Sequence, residues 1–91
     1  MEQAATVSVG NSTTTLKKIT VTFPQPFATV PVVVANTLQT DPTYPPGSIP
    51  DTYAVSITGV SLAQFTANIY RVDAAHGWGQ KLSLGYHATT P

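Results

Sequence analysis

Lys17-Lys18-Ile19-Thr20-Val21-Thr22-Phe23 is the stretch that decides the fold. Successive side chains of an extended strand point to opposite sides. Ile19, Val21 and Phe23 therefore share one face, and Lys18, Thr20 and Thr22 share the other. Immediately afterwards, Phe23-Pro24-Gln25-Pro26-Phe27 breaks the pairing, because proline has no amide to give to a ladder. The same period of two recurs outward from this strand. Tyr53, Val55 and Ile57 alternate with Ala54, Ser56 and Thr58, and Phe65, Ala67 and Ile69 with Thr66, Asn68 and Tyr70. Residues 59–64 between them have the length of a hairpin connection. Near the end, Leu82, Leu84, Tyr86 and Ala88 alternate with Lys81, Ser83, Gly85 and His87.

Two further strands complete the set. One lies at residues 4–9. The other, at 30–38, opens on the continuous apolar run Val30-Pro31-Val32-Val33-Val34-Ala35, which predicts a strand covered on both faces. Residues 41–50 hold Pro42, Pro45, Pro46, Pro50 and Gly47 and read as a loop stiffened by proline. No window shows the i, i+3, i+4, i+7 apolar pattern of a helix. Six short strands with turns between them predict an all-β protein, a six-stranded antiparallel β-sandwich, with residues 1–91 as a single domain.

Composition narrows the function. Of the 91 residues 42% are hydrophobic and only 9% charged, with zero formal net charge; soluble domains carry roughly 25% charged residues. Four cationic side chains cannot neutralise many phosphates, which argues against nucleic acid as a partner. The longest apolar run is far shorter than the roughly 20 residues that cross a bilayer, so no membrane insertion is expected. Low charge combined with abundant β-branched residues also argues against disorder. The N-terminus lacks the basic and apolar segments of a signal peptide. Cytoplasmic synthesis is expected, with any exit from the cell by another route, such as inside a virus particle. On that expectation the Asn11-Ser12-Thr13 sequon is incidental. Cysteine is absent, so a chain this small has no disulfide to help hold it and is expected to gain stability by assembling with its own copies.

One stretch concentrates the chemistry. Between Tyr70 and Lys81 lie Arg71, Asp73, His76 and Trp78, which with Lys81 make three of the eight formal charges, one of two histidines and the only tryptophan. Binding residues gather on loops that a rigid scaffold positions. An Arg–Asp pair supplies donors and acceptors, and an indole supplies an apolar plate, which together suit a neutral polyhydroxylated ligand. The same residues also fit plainer roles. Arg71 and Asp73 could form a surface or intersubunit ion pair, Trp78 could plug the core or line an interface, and His76 could be a bare loop residue. His87, on the face opposite Tyr86, reads as structural or interfacial.

Catalysis is not expected. No nucleophile elbow, acid–base carboxylate pair or glycine-rich phosphate cradle is present. Two histidines without cysteine exclude zinc sites built on cysteine or on three histidines. His76 and Asp73 alone are too few for a metal site, and no cofactor is expected.

The order of these motifs resembles the H-type lectin domain of snail agglutinins and the C-terminal part of discoidins. The resemblance runs from about residue 19 to 88. It includes Val21-Thr22-Phe23-Pro24-Gln25-Pro26-Phe27 followed by Val30-Pro31-Val32-Val33-Val34, where the family has Phe-x-x-Pro-Phe and a Pro-Val-Val strand. It continues through Val55-Ser56-Ile57-Thr58-Gly59-Val60-Ser61-Leu62-Ala63-Gln64-Phe65, with Gln64 where the family has glycine. It closes on Leu82-Ser83-Leu84-Gly85-Tyr86-His87-Ala88, with Tyr86 in place of tryptophan. The resemblance implies a sandwich that assembles as a trimer, or as two trimers forming a hexamer. It also implies clefts between protomers that bind galactose or N-acetylgalactosamine. Gly10, Asn11 and Ser12 fall at the family's N-terminal sugar-contacting loop, without its aspartate. The cation preceding the fourth strand falls near Asp51 or Thr52 and is missing, and the fifth-strand aromatic and histidine fall at about Val72 and Asp73.

The expected reading is therefore a lectin that binds glycans of the galactose or N-acetylgalactosamine type through Arg71, Asp73, His76, Trp78, Asn11 and Asp51. In it Asp73 accepts sugar hydroxyls, Arg71 orients it and Trp78 stacks. The alternative is a structural trimerisation or receptor-binding module, such as a phage tail-fibre tip, with no sugar-specific site.

Overall fold

The structure, a computed structural model, describes residues 1–39 and 52–91. Six strands follow in order: β1 (Glu2–Ser12), β2 (Leu16–Thr22), β3 (Val32–Gln39), β4 (Tyr53–Thr58), β5 (Gln64–Arg71) and β6 (Trp78–Thr89). They form two three-stranded sheets, ordered β1-β6-β3 and β2-β5-β4. Every pairing is antiparallel. The β-sandwich expected from the alternation is the fold observed.

The central strands make the core. Phe65, Ala67 and Ile69 of β5 face Leu82, Leu84, Tyr86 and Ala88 of β6, and all are buried. Phe65 and Tyr86 meet edge to face across the gap, with centroids 5.2 Å apart. β2 ends at Thr22, where the prolines begin, yet the following segment stays attached. The Phe23 and Phe27 amides donate to the Ala63 and Leu62 carbonyls of the β4–β5 turn, at 2.9 and 2.7 Å. Both phenyl rings are thereby turned into the core, edge to face at 4.9 Å. The two ends of the chain close the same pole: the Thr90 amide donates to the Met1 carbonyl at 3.0 Å.

Contrary to the expectation from its continuous apolar sequence, the 30–38 run is not covered on both faces. Val33, Ala35 and Thr37 turn inward and are half-buried. Val32, Val34 and Leu38 face outward and are 64%, 62% and 43% exposed. β3 is the edge of a narrow sheet, and no third layer among the described residues lies over it. The Asp41–Pro50 loop reading falls outside the described residues.

Truncating the central ring tests the core. Phe65→Ala should cost about 3–5 kcal/mol, a large part of the roughly 5–15 kcal/mol that holds a domain folded. Urea titration should show a much lower midpoint with an unchanged slope.

Candidate functional site

At the pole opposite the chain ends, the β1–β2 connection, the start of β4 and the β5–β6 loop are knitted together. Their organiser is a bulge in β1, where the register against β6 slips on both sides of Gly10. Gly10 sits at φ 77°, a left-handed conformation that glycine adopts without a steric penalty. The bulge turns three successive carbonyls away from the ladder, and each finds a donor. Lys17 Nζ donates to Val9 O at 2.7 Å and to Asn11 O at 2.8 Å. Trp78 Nε1 donates to Gly10 O at 2.7 Å.

The β5–β6 loop returns against this bulge. A Cβ on Gly77 would collide with the carbonyl of Ser12 and lie 2.8 Å from that of Thr14. Only glycine lets the two backbones approach so closely. The Arg71 amide donates to Thr15 O at 2.8 Å and the Val72 amide to Thr52 O at 2.9 Å, fastening the loop to both neighbours.

Arg71 lies in phase with the buried residues of β5, so its side chain caps the end of the core and is only 11% exposed. Its Nε donates to Asp73 Oδ1 at 3.0 Å and its Nη1 to Gly77 O at 2.6 Å. Asp73 Oδ1 also accepts from the Thr52 amide at 3.2 Å. These donors, Arg71 first, hold the Asp73 carboxyl below the usual carboxylate pKa, against a smaller opposing effect of desolvation. Asp73 is nevertheless 36% exposed. His76 Nδ1 lies 2.9 Å from Gly77 O and 3.3 Å from Arg71 Nη1. The carbonyl can only accept, so the neutral tautomer with its proton on Nδ1 donates to Gly77 O and presents Nε2 as an acceptor. The loop thus holds an oriented carboxylate beside an oriented imidazole, polar groups suited to hydroxyl or amide groups on a ligand.

Arg71, Asp73 and His76 therefore come together as one bonded group. Asn11 is exposed on the adjoining bulge, next to the Ser12 carbonyl that abuts Gly77. Asp51 lies outside the described residues. Trp78 does not match its expected stacking role in this chain. It is 4% exposed, its N–H is taken by Gly10, and its ring meets Tyr53 edge to face at 5.1 Å. The core-plug reading describes it. His87 lies away from this group, 3.2 Å from Glu2 on the outer face of the other sheet.

One residue escaped the sequence reading. Lys17 holds the bulge, and only its phase with Ile19 and Val21 signalled an inward direction. Tyr70, placed by the alternation with Thr66 and Asn68 opposite Phe65, Ala67 and Ile69, is indeed 47% exposed and pairs with the exposed Leu16.

The H-type lectin domain family model matches residues 18–83, a span that includes the Arg71–Asp73–His76 group. The chain belongs to the H-type lectin domain family. The solved N-truncated R1-type pyocin tail fibre shares the fold of this H-type lectin domain, with a TM-score of 0.71 and 20% identity. That similarity covers 96% of this chain and 67% of the fibre chain. No curated protein matches the sequence.

Lys17→Met should release the Val9 and Asn11 carbonyls and lower stability by about 1–3 kcal/mol, read as a fall in the thermal midpoint. Because Asp73 is held below its ordinary value near 3.8, its pairing with Arg71 is fully present above that pH. It is lost as the pH falls through the lower folded value. The difference in thermal midpoint between wild type and Asp73→Ala should therefore shrink on acidification below about pH 4.

Proposed function

We propose that this domain is a non-catalytic glycan-binding module, acting within an assembly of its own copies, most simply a trimer. The family match over residues 18–83 carries this reading. The loop chemistry supports it. Asp73 and the Nε2 of His76 are acceptors for sugar hydroxyls, and Arg71 acts through Asp73 as a positioning residue. Asn11 adds an amide from the adjoining bulge, and Asp51 belongs to the same proposed site. Trp78 supports the site from beneath by fixing the bulge. The apolar plate that a pyranose needs is then supplied by another side chain, which in a cleft between protomers comes from the neighbour. Galactose and N-acetylgalactosamine are the sugars proposed.

A second reading is favoured by the match to a tail fibre across nearly the whole chain. In that reading the sandwich is a structural or receptor-binding module of a fibre, and the loop braces the pole without holding sugar.

A glycan array followed by competition with free galactose and N-acetylgalactosamine separates the two. The glycan reading expects saturable binding that free sugar competes away. Asp73→Asn should weaken binding at least tenfold while the thermal midpoint stays close to wild type. Assembly of the wild-type chain without glycan binding would sink the first reading and leave the second.

A further inference from the structure

The outer face of the β2-β5-β4 sheet lies outside the bonded group at the pole. Its register sets outward side chains in rows across the three strands. Leu16, Tyr70 and Ala54 form one row and Lys18, Asn68 and Ser56 the next. The third row is threonine throughout. Leu16 and Tyr70 are exposed, and so is Val72 just beyond the strand end. An apolar patch thus stands at one end of a field of hydroxyls and amides.

Three groups at this corner are turned outward and held ready. Asn68 Nδ2 donates to Ser56 O at 3.1 Å and to Thr58 Oγ1 at 3.0 Å. Both amide hydrogens are thereby committed to β4, which leaves Oδ1 as an oriented acceptor. Lys18 stands directly across from Asn68 and is exposed. Among the described residues its ammonium has no hydrogen bond or ion pair. Lys17 and Arg71 differ, since their N–H groups hold main-chain carbonyls. The Tyr70 ring is likewise in contact with no other described ring. Tyr70 and Lys18 are diagonal neighbours across the β2–β5 pair, a separation of about 7–8 Å that long and aromatic side chains span. Packing accounts for neither group: Tyr70 lies out of phase with the core, and Lys18 fastens nothing.

We propose that this corner binds a carboxylate-bearing sugar, a hexuronic acid unit of an acidic oligosaccharide, at a site separate from the one proposed at the pole. The pyranose lays its C–H face on the Tyr70 ring, which supplies the apolar plate. Its carboxylate accepts from the Lys18 ammonium, a charge-assisted bond stronger than a neutral one. A ring hydroxyl donates to Asn68 Oδ1. The threonine row offers hydroxyls to a further unit, about 7 Å along the strands. Charge selects the ligand. Lys18 is the only charged side chain in the three rows, and no carboxylate offsets it. The pole presents the reverse, a partly exposed Asp73 carboxylate beside a guanidinium that is already committed. A neutral sugar keeps the stacking on Tyr70 and loses the charged bond.

The test uses a mannuronate tetrasaccharide and its neutral mannose counterpart, which differ only in a carboxylate for a hydroxymethyl group. Titrated calorimetrically into the whole chain, the acidic probe should bind about tenfold more tightly than the neutral one. That preference should shrink as salt rises. Amide shifts should map to residues 16–20 and 66–72. Lys18→Gln should abolish the preference and Lys18→Arg restore it, while Tyr70→Ala weakens both probes. Both positions are exposed, so the variants should keep the wild-type thermal midpoint. Equal affinity for the two probes overturns the proposal, as does undiminished binding of the acidic probe by Lys18→Gln. Polyglutamate carries carboxylates without sugar rings, and equally tight binding of it would overturn the sugar assignment. Excess free N-acetylgalactosamine should leave the acidic probe bound, and displacement would overturn the separate site. Failure of any of these leaves the reading of the pole standing.

Discussion

The structure depends on one contact between two narrow sheets. Phe65 in the middle of β5 and Tyr86 in the middle of β6 meet edge to face, and both also touch Phe23. Three strands per sheet give each only one fully flanked strand, so the core consists chiefly of what β5 and β6 present to each other. The consequences spread outward. Phe23 and Phe27 must be folded back over one end of that core by bonds to the β4–β5 turn. Trp78, Tyr53 and the stem of Arg71 must close the other end. The outer strands keep one face each for the surroundings.

Scarcity of charge shapes how the polar pole is held. Two of the four cationic side chains, Lys17 and Arg71, direct N–H groups at main-chain carbonyls. A bulge and a tight loop both turn carbonyls away from the ladder, and a carbonyl without a donor is costly at a partly buried position. Lys17 satisfies two such groups at once, and Arg71 satisfies the Gly77 carbonyl while it pairs with Asp73. Asp73 then balances Arg71 and pins Thr52. The charges of this pole are part of its architecture first, and what remains exposed of Asp73 and His76 is rigid because of it.

Much of the fold was legible in the sequence, for a simple reason. In β2, β4, β5 and β6 the large apolar residues alternate apart from Leu16 and Tyr70 at the strand ends, and a period of two has one structural meaning. The run at 30–38 lacked that alternation. A continuous apolar strand has the same appearance whether its second face is covered within the chain or left outward, and β3 proved to be the latter. The charged loop was legible as a cluster, since Arg71 and Asp73 stand two apart at a strand end. The fate of Trp78 was not, because its partner, the Gly10 carbonyl, lies 68 residues away and exists as an acceptor only because of the bulge. Lys17 was hidden for the same reason.

The meeting of the two chain ends gives the domain a direction. Met1 and Thr90 are bonded to each other at one pole, while Arg71, Asp73 and His76 occupy the opposite one. The chain extends 43 Å along its longest axis and 16 Å along its shortest. A tether attached at either end, whether a peptide tag or a surface linkage, therefore points the polar loop away from its support. Two tethers, one at each end, would run side by side from the same pole and leave the loop unobstructed.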